Sequence, residues 1–223
     1  RGRAAQDPDR RARGQGRRPR EEQGQVAATG STVDQAAEEA AIALYKEIDS
    51  LIGKAEFKPA KKKLEELLTK YKGTKAANRA VRLKRELDVI GKKVSTPDME
   101  KWYVGSAGDL DLENGSTLVV FWEVWCPHCR NHMPEMVKTY DQWNSKGLNV
   151  VGLTRITKSA TEEKVLEFMK ENKLNYPIAK ENGKLAREFG VGGIPAAAVV
   201  KDGKIVWRGH PARLSDDVIG KLL

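Results

Sequence analysis

The chain of 223 residues contains two cysteines, Cys126 and Cys129, with Pro127 and His128 between them. A pair this close excludes a multi-bridge disulfide framework, and a redox couple is its natural reading. Other chemistries for the same residues fail on ligand count. Zinc would need two more ligands, and although His128 is wedged between the thiols, with His132 nearby, His210 is the only other histidine. Cysteines on a single helix start cannot close a tetrahedron without such distant help. Covalent haem attachment requires His directly after the second cysteine, and Arg130 stands there. No metal and no other cofactor is expected.

The elements that must position the pair are legible around it. Thr117 to Pro134 reads TLVVFWEVWCPHCRNHMP. Leu118 to Val124 is short, rich in β-branched and aromatic residues, and suits a central strand buried on both faces. Helical spacing follows at Met133, Met136, Val137 and Tyr140, so the order is strand, two-cysteine turn, helix. Pro127 fits an opening helical turn, where no backbone donor is needed. Cys126 then lies at the helix start, where unpaired N–H groups and the helix dipole favour thiolate over thiol.

The rest of the chain falls into three parts. The net charge of +9 divides as +4 over residues 1–33, +5 over 34–96 and 0 over 97–223, so the basic excess lies upstream of the cysteines. Residues 1–33 are expected to be a disordered basic linker, with too few large apolar side chains to offset ordering entropy. No aromatic residues are interleaved there to stack on bases, which disfavours nucleic acid as a partner. No stretch approaches the roughly 18 to 20 apolar residues that span a bilayer. The start at Arg1, with no initiator Met, is read as a processed or trimmed form, one that can have lost a targeting segment.

Residues 34–96 read as an all-α segment of three amphipathic helices. Phe57, Ala60, Leu64, Leu67 and Leu68 mark the face of the second, and Tyr71-Lys72-Gly73-Thr74 the turn into the third. This stretch resembles a tetratricopeptide-type helical hairpin over about one and a half repeats, fewer than the roughly three that stable stacking requires. It therefore has to dock on the second domain, a copy of itself or a partner. Gly91 to Pro97 makes the boundary. Residues 97–223 alternate strand and helix patterns and close with a hairpin through Asp202-Gly203 and a helix capped by Ser215.

Several separated features of this last part carry a family resemblance. Phe121, Trp122, Trp125, Cys126 and Cys129 form a Phe-Trp-x-x-Trp-Cys-x-x-Cys run, Pro134 stands eight residues after the first cysteine, and Ile194-Pro195 precedes the hairpin. Residues 100–223 resemble the thioredoxin superfamily, and the added strand and helix between 148 and 180 are similar to its TlpA/ResA-like periplasmic branch of membrane-anchored thiol-disulfide oxidoreductases. The resemblance implies an α/β thioredoxin-like fold, a central mixed sheet flanked by helices, behind the all-α segment. It also implies a periplasmic or extracytoplasmic location, a membrane tether outside the present chain, cysteine-containing protein substrates and a membrane-bound redox partner.

The resemblance also implies roles. Cys126, exposed, exchanges with a substrate disulfide, and Cys129, less accessible, resolves the mixed disulfide. His128 hydrogen-bonds to or pairs with the Cys126 thiolate, with Pro127 completing the pair's turn. Pro195 is cis and presents the Ile194 backbone to a guest peptide; Gly193 leaves room, and Trp125 belongs to the same binding surface. Two positions depart from the pattern. Val120 replaces the buried Asp of thioredoxins proper, so Glu123 is either the proton acceptor for Cys129 or a solvated strand-end carboxylate. Ala196 stands where Thr is frequent. The Pro-His dipeptide resembles that of the oxidase DsbA, whereas the surrounding branch is often reducing, which leaves the direction open. Two alternatives stand beside the oxidoreductase: an oligomeric disulfide isomerase assembled through the helical segment, or a redox-silent helical peptide-binding adaptor.

Overall fold

Polar side chains cap the starts of the first and third of the three leading helices. In the structure, a computed structural model that describes residues 34–223, the three are α1 (Gln35–Gly53), α2 (Phe57–Lys70) and α3 (Lys75–Asp88). The expected linker, 1–33, lies outside the described residues. Thr74 accepts from the Ala77 N–H at 3.1 Å and donates its hydroxyl to the Tyr71 carbonyl at 2.8 Å. Glu38 of α1 reaches across to the N–H groups of Lys75 and Ala76 at 2.8 and 3.0 Å. The free donors at the start of α3 are thus satisfied, and an anion sits at the positive end of its dipole. The apolar stripes meet in one core, with Ile48, Ile52, Ala60, Leu67, Ala80, Leu83 and Leu87 all fully buried.

Downstream the chain alternates as the sequence pattern predicts. Strands β1 (Lys101–Val104), β2 (Ser116–Trp122), β3 (Leu148–Thr154), β4 (Ile178–Lys180), β5 (Ala196–Lys201) and β6 (Lys204–Gly209) form one mixed sheet in the order β1-β4-β3-β2-β5-β6. The pairs β2/β3 and β3/β4 are parallel and the other three antiparallel. Helices α4 (Pro127–Trp143), α5 (Glu162–Glu171), α6 (Lys184–Glu188) and α7 (Asp216–Leu222) cover its faces. The fold is the expected thioredoxin-like α/β arrangement behind an all-α segment. β4 is the strand the pattern does not reveal, because three residues after Pro177 are too few to show a period.

All seven residues of β2 are buried, and their side chains alternate between two cores. Leu118, Val120 and Trp122 join Met133 and Met136 of α4 and Phe168 of α5; Val119 and Phe121 join Leu185 and Phe189 on the opposite face. Gly152 of β3 permits one close approach. A Cβ there would lie 3.1 Å from the Tyr176 ring and 3.2 Å from Nε1 of Trp122, so only glycine leaves the two aromatics in place.

The expected boundary at 91–97 does leave the helix, yet it is not a free connection. Gly91 and Val94 donate to the carbonyls of Ile205 and Gly203 at 2.8 and 2.9 Å, and Lys92 accepts from Ile205 at 3.0 Å. The segment runs antiparallel along β6, with Lys93 opposite Lys204. An ion-pair chain adds to this: Arg213, after β6, lies 2.7 Å from Asp49 of α1 and 3.2 Å from Glu86 of α3. The helical layer is thereby fastened to the sheet edge nearest the loop before β5.

Replacing Thr74 with Ala removes a buried cap from α3 and is expected to cost about 1 to 2 kcal/mol in urea unfolding, with Ser restoring most of the loss.

Candidate active site

Chain direction brings the reactive groups together beyond the carboxyl end of β2, the usual place for a site in a sheet of this kind. β2 ends at Trp122, and Glu123-Val124-Trp125 lead into α4, whose N-cap is Cys126 and whose first residue is Pro127. The loop after β3 brings Arg155, Thr157 and Lys158 alongside. From the other side comes Ile194-Pro195, whose peptide bond is cis. The Ile194 carbonyl oxygen lies 3.7 Å from the Cys126 sulfur.

Both cysteines are free thiols. Cys129, one turn inside α4, has no exposure, and Cys126 retains 5%. The expectation of an openly exposed Cys126 is corrected here: the N-cap position and the Ile194 carbonyl cover most of the residue. Pro127 and His128 beside it are exposed, as are Gly192 and Gly193 across from it. Burial, foremost, pushes the Cys129 thiol well above its ordinary range. A backbone hydrogen bond from Glu123 opposes this, while Cys126 and the charge of Glu123 add to it. The buried thiol therefore holds its proton at neutral pH and needs an acceptor before it can attack.

Glu123 is a buried carboxylate whose charge acts on Cys129. It is 2% exposed, so of the two sequence readings the solvated carboxylate is ruled out. Three donors surround it: Arg155 Nη2 at 2.7 Å, Trp125 Nε1 at 2.6 Å and the Thr157 hydroxyl. Arg155 also reaches Glu181 at 3.7 Å, where burial raises the carboxyl and the Gly183 N–H and the Arg155 charge oppose that rise. The Lys158 ammonium sits 3.3 Å from the centre of the Trp125 ring, a cation–π contact that closes the outer side of the indole. Trp125 is thus fixed at both its polar edge and its face.

His128, expected to pair with Cys126, makes no hydrogen bond to it in the structure. Its imidazole is exposed, and its field contributes instead at His210. His132 is a rim residue, bonded to Glu135 at 2.9 Å and edge-on to His210 with ring centres 4.8 Å apart. Gly193 is open, since a Cβ there meets nothing within 4 Å; the tight position is Gly192, where a Cβ would come within 2.9 Å of the Arg85 guanidinium. Among the described residues no three His, Cys, Asp or Glu side chains converge as metal ligands.

Sequence reasoning missed several residues here. Arg208, 2% exposed, donates from Nε to the Phe189 carbonyl at 2.9 Å and from Nη1 to the Ala197 and Gly209 carbonyls. It ties the end of α6 to β5 and β6 and so holds both ends of the loop that carries Pro195. Burial lowers it to about 10, which leaves it cationic at neutral pH. Its placement next to the buried Trp207 breaks strand alternation, so pattern gave no signal. Arg155 and Thr157 follow β3 as an ordinary loop, and only three-dimensional proximity joins them to Glu123.

His210 gives the site a pH dependence. Its Nδ1 accepts from the Ala212 N–H at 3.2 Å, which requires the unprotonated ring. Burial first, then His132, Arg213, Arg82 and His128, lower it from the ordinary 6.5 to about 4. The unfolded chain takes up this proton before the folded one does, so stability falls as pH drops from about 6.5 to about 4 and is unaffected above that window. In thermal unfolding across that range, His210→Asn, whose amide oxygen can still accept from Ala212, is expected to show a shallower decline than the parent chain.

A family model described as the AhpC/TSA family matches residues 86–208, more than half of the chain. The chain is 33% identical over 98 residues to the thiol-disulfide oxidoreductase ResA of a Bacillus cereus strain, covering 43% of this chain and 55% of that protein. It is 29% identical over 97 residues to sporulation thiol-disulfide oxidoreductase A of Bacillus subtilis, covering 42% and 59%. The chain thus spans little more than half the length of these curated relatives. The crystal structure of StoA from Bacillus subtilis superposes with a TM-score of 0.41 at 27% identity, over 44% of this chain and 75% of that one. By the extent of the family match, the chain belongs to the AhpC/TSA family.

Proposed function

We propose that the protein is a thiol-disulfide oxidoreductase that exchanges disulfides with cysteine-containing polypeptides through Cys126 and Cys129. The observation that carries this reading is the 3.7 Å approach of the Cys126 sulfur to the Ile194 carbonyl, with a second free thiol one turn deeper in α4. Backbone beside a reactive sulfur offers a guest chain hydrogen bonds while its own sulfur lines up for exchange. The names of the related oxidoreductases support the same chemistry.

In the reducing direction the Cys126 thiolate attacks one sulfur of a substrate disulfide. That S–S bond breaks, a mixed disulfide forms, and the other substrate sulfur leaves as a thiolate. Cys129 then gives up its proton and attacks the Cys126 sulfur, which closes the Cys126–Cys129 disulfide and releases the substrate as a dithiol. Two electrons pass to the substrate, and a separate redox partner restores the enzyme. Run backwards, the same steps oxidise a substrate. Glu123 is the acceptor we assign to the Cys129 proton: it is buried, its backbone hydrogen-bonds to that thiol, and its carboxylate is held in place by Arg155 and Thr157. Trp125, Gly193, Ile194 and Pro195 form the binding face. Following the TlpA/ResA-like resemblance, we place the activity outside the cytoplasm, tethered by a segment beyond the present chain.

Cys126→Ser is expected to abolish insulin-disulfide reduction. Cys129→Ser is expected to accumulate a mixed disulfide at Cys126, detectable by mass spectrometry. A Cys126→Ser protein with full activity overturns the assignment. Glu123→Gln turns an amide N–H₂ toward a donor and is expected to cost about 1 to 3 kcal/mol of stability. By removing a negative charge it lowers the pH at which Cys129 ionises, yet mixed-disulfide resolution at neutral pH slows if the carboxylate is the acceptor. Unchanged resolution, followed by stopped-flow Trp fluorescence, rules that role out.

A further inference from the structure

We propose that Arg82 and Arg85 of α3 form a cationic wall beside the Ile194–Pro195 turn and select substrate chains that carry acidic residues next to the reacting cysteine. The proposal rests on the thiol-exchange reading and adds a substrate class to it.

Position is the first argument. Arg82, Arg85 and Glu86 stand at i, i+3 and i+4 on α3, so they share one side of the helix. The Arg85 guanidinium packs against Gly192, and its carbonyl lies 3.0 Å from where a Cβ on Gly190 would sit. Arg82 and Glu86 line a cleft whose other wall is Gly192, Gly193, Ile194 and Pro195. The Ile194 carbonyl in turn touches the reactive sulfur. A chain engaged with Cys126 along this loop runs directly past α3.

Charge is the second. Arg213 is neutralised by Asp49 at 2.7 Å and Glu86 at 3.2 Å. Arg208 spends its hydrogen bonds on carbonyl oxygens. Glu86, already paired with Arg213, is the carboxylate nearest Arg82, and its oxygen is 3.9 Å from Arg82 Nε. The Arg85 side chain makes no ion pair or hydrogen bond among the described residues. Two guanidinium groups, those of Arg82 and Arg213, thus share Glu86 while Arg85 stands without a carboxylate, so the wall carries net positive charge. His210, at the same cleft, is held down to about 4 by burial and then by His132, Arg213 and Arg82 among its neighbours, in keeping with that excess. Exposed guanidiniums of this kind recognise carboxylates in a bidentate fashion and screen readily with salt.

The test uses two disulfide peptides of identical length, one with Asp and Glu flanking the cysteine and one with Lys in their place, and the same peptides with serine for cysteine. At low salt the parent protein is expected to favour the acidic peptide by about tenfold in kcat/KM, a preference that fades as salt rises. Arg82→Glu with Arg85→Glu is expected to invert the preference, and Arg82→Lys with Arg85→Lys to retain much of it. The glutathione equilibrium of Cys126/Cys129 reports in each variant whether the thiol pair is intact. Equal kcat/KM for both peptides in the parent protein, or a preference that survives charge reversal, overturns this proposal while leaving thiol exchange standing. Absent exchange combined with charge-dependent binding of the serine peptides overturns the thiol-exchange reading instead and keeps the cationic wall.

Discussion

A carboxylate with 2% exposure has to be met by donors, and the donors that meet Glu123 hold the reactive face together. Trp125 comes from the same connection as Cys126, while Arg155 and Thr157 come from the loop after β3. One buried charge therefore fixes the approach to α4 against its neighbouring strand end. Arg155 extends the link to Glu181 beyond β4. Losing any one donor leaves part of a buried charge unanswered, which is why this group of side chains acts as a unit.

Much of this was legible in the sequence, for physical reasons. The apolar run of β2, Pro127 after Cys126 and the Asp202-Gly203 turn are local signals whose meaning does not depend on distant chain. The three helical stripes are equally local, and their buried faces lie where the 3.6-residue period puts them. What the sequence could not reveal depends on folding distance. Whether Glu123 is buried is decided by Arg155 and Thr157, more than thirty residues away. The covering of Cys126 is decided by Ile194, sixty-eight residues away. Arg208 was hidden because a buried arginine answered by backbone carbonyls looks, in sequence, like any exposed strand arginine.

The helical segment has a double character. Its core is its own, yet Val89 and Val94 belong to the core under the sheet, and Phe57 packs against both the helical core and the α4 side of the sheet. The Asp49–Arg213–Glu86 chain fastens it where the loop before β5 begins its turn. A layer attached there contributes Arg82 and Glu86 to the cleft beside Ile194 and Pro195.

The antiparallel run of Gly91 to Val94 along β6 carries one more consequence. A sheet border with open amide and carbonyl groups is a template for self-association, and here that border is occupied by the chain's own connecting segment. Excising the α/β part at residue 97 would strip this cover from β6. The severed fragment would gain a sticky flank that the intact chain does not have, so the upstream helices and their connector also act as a guard against aggregation.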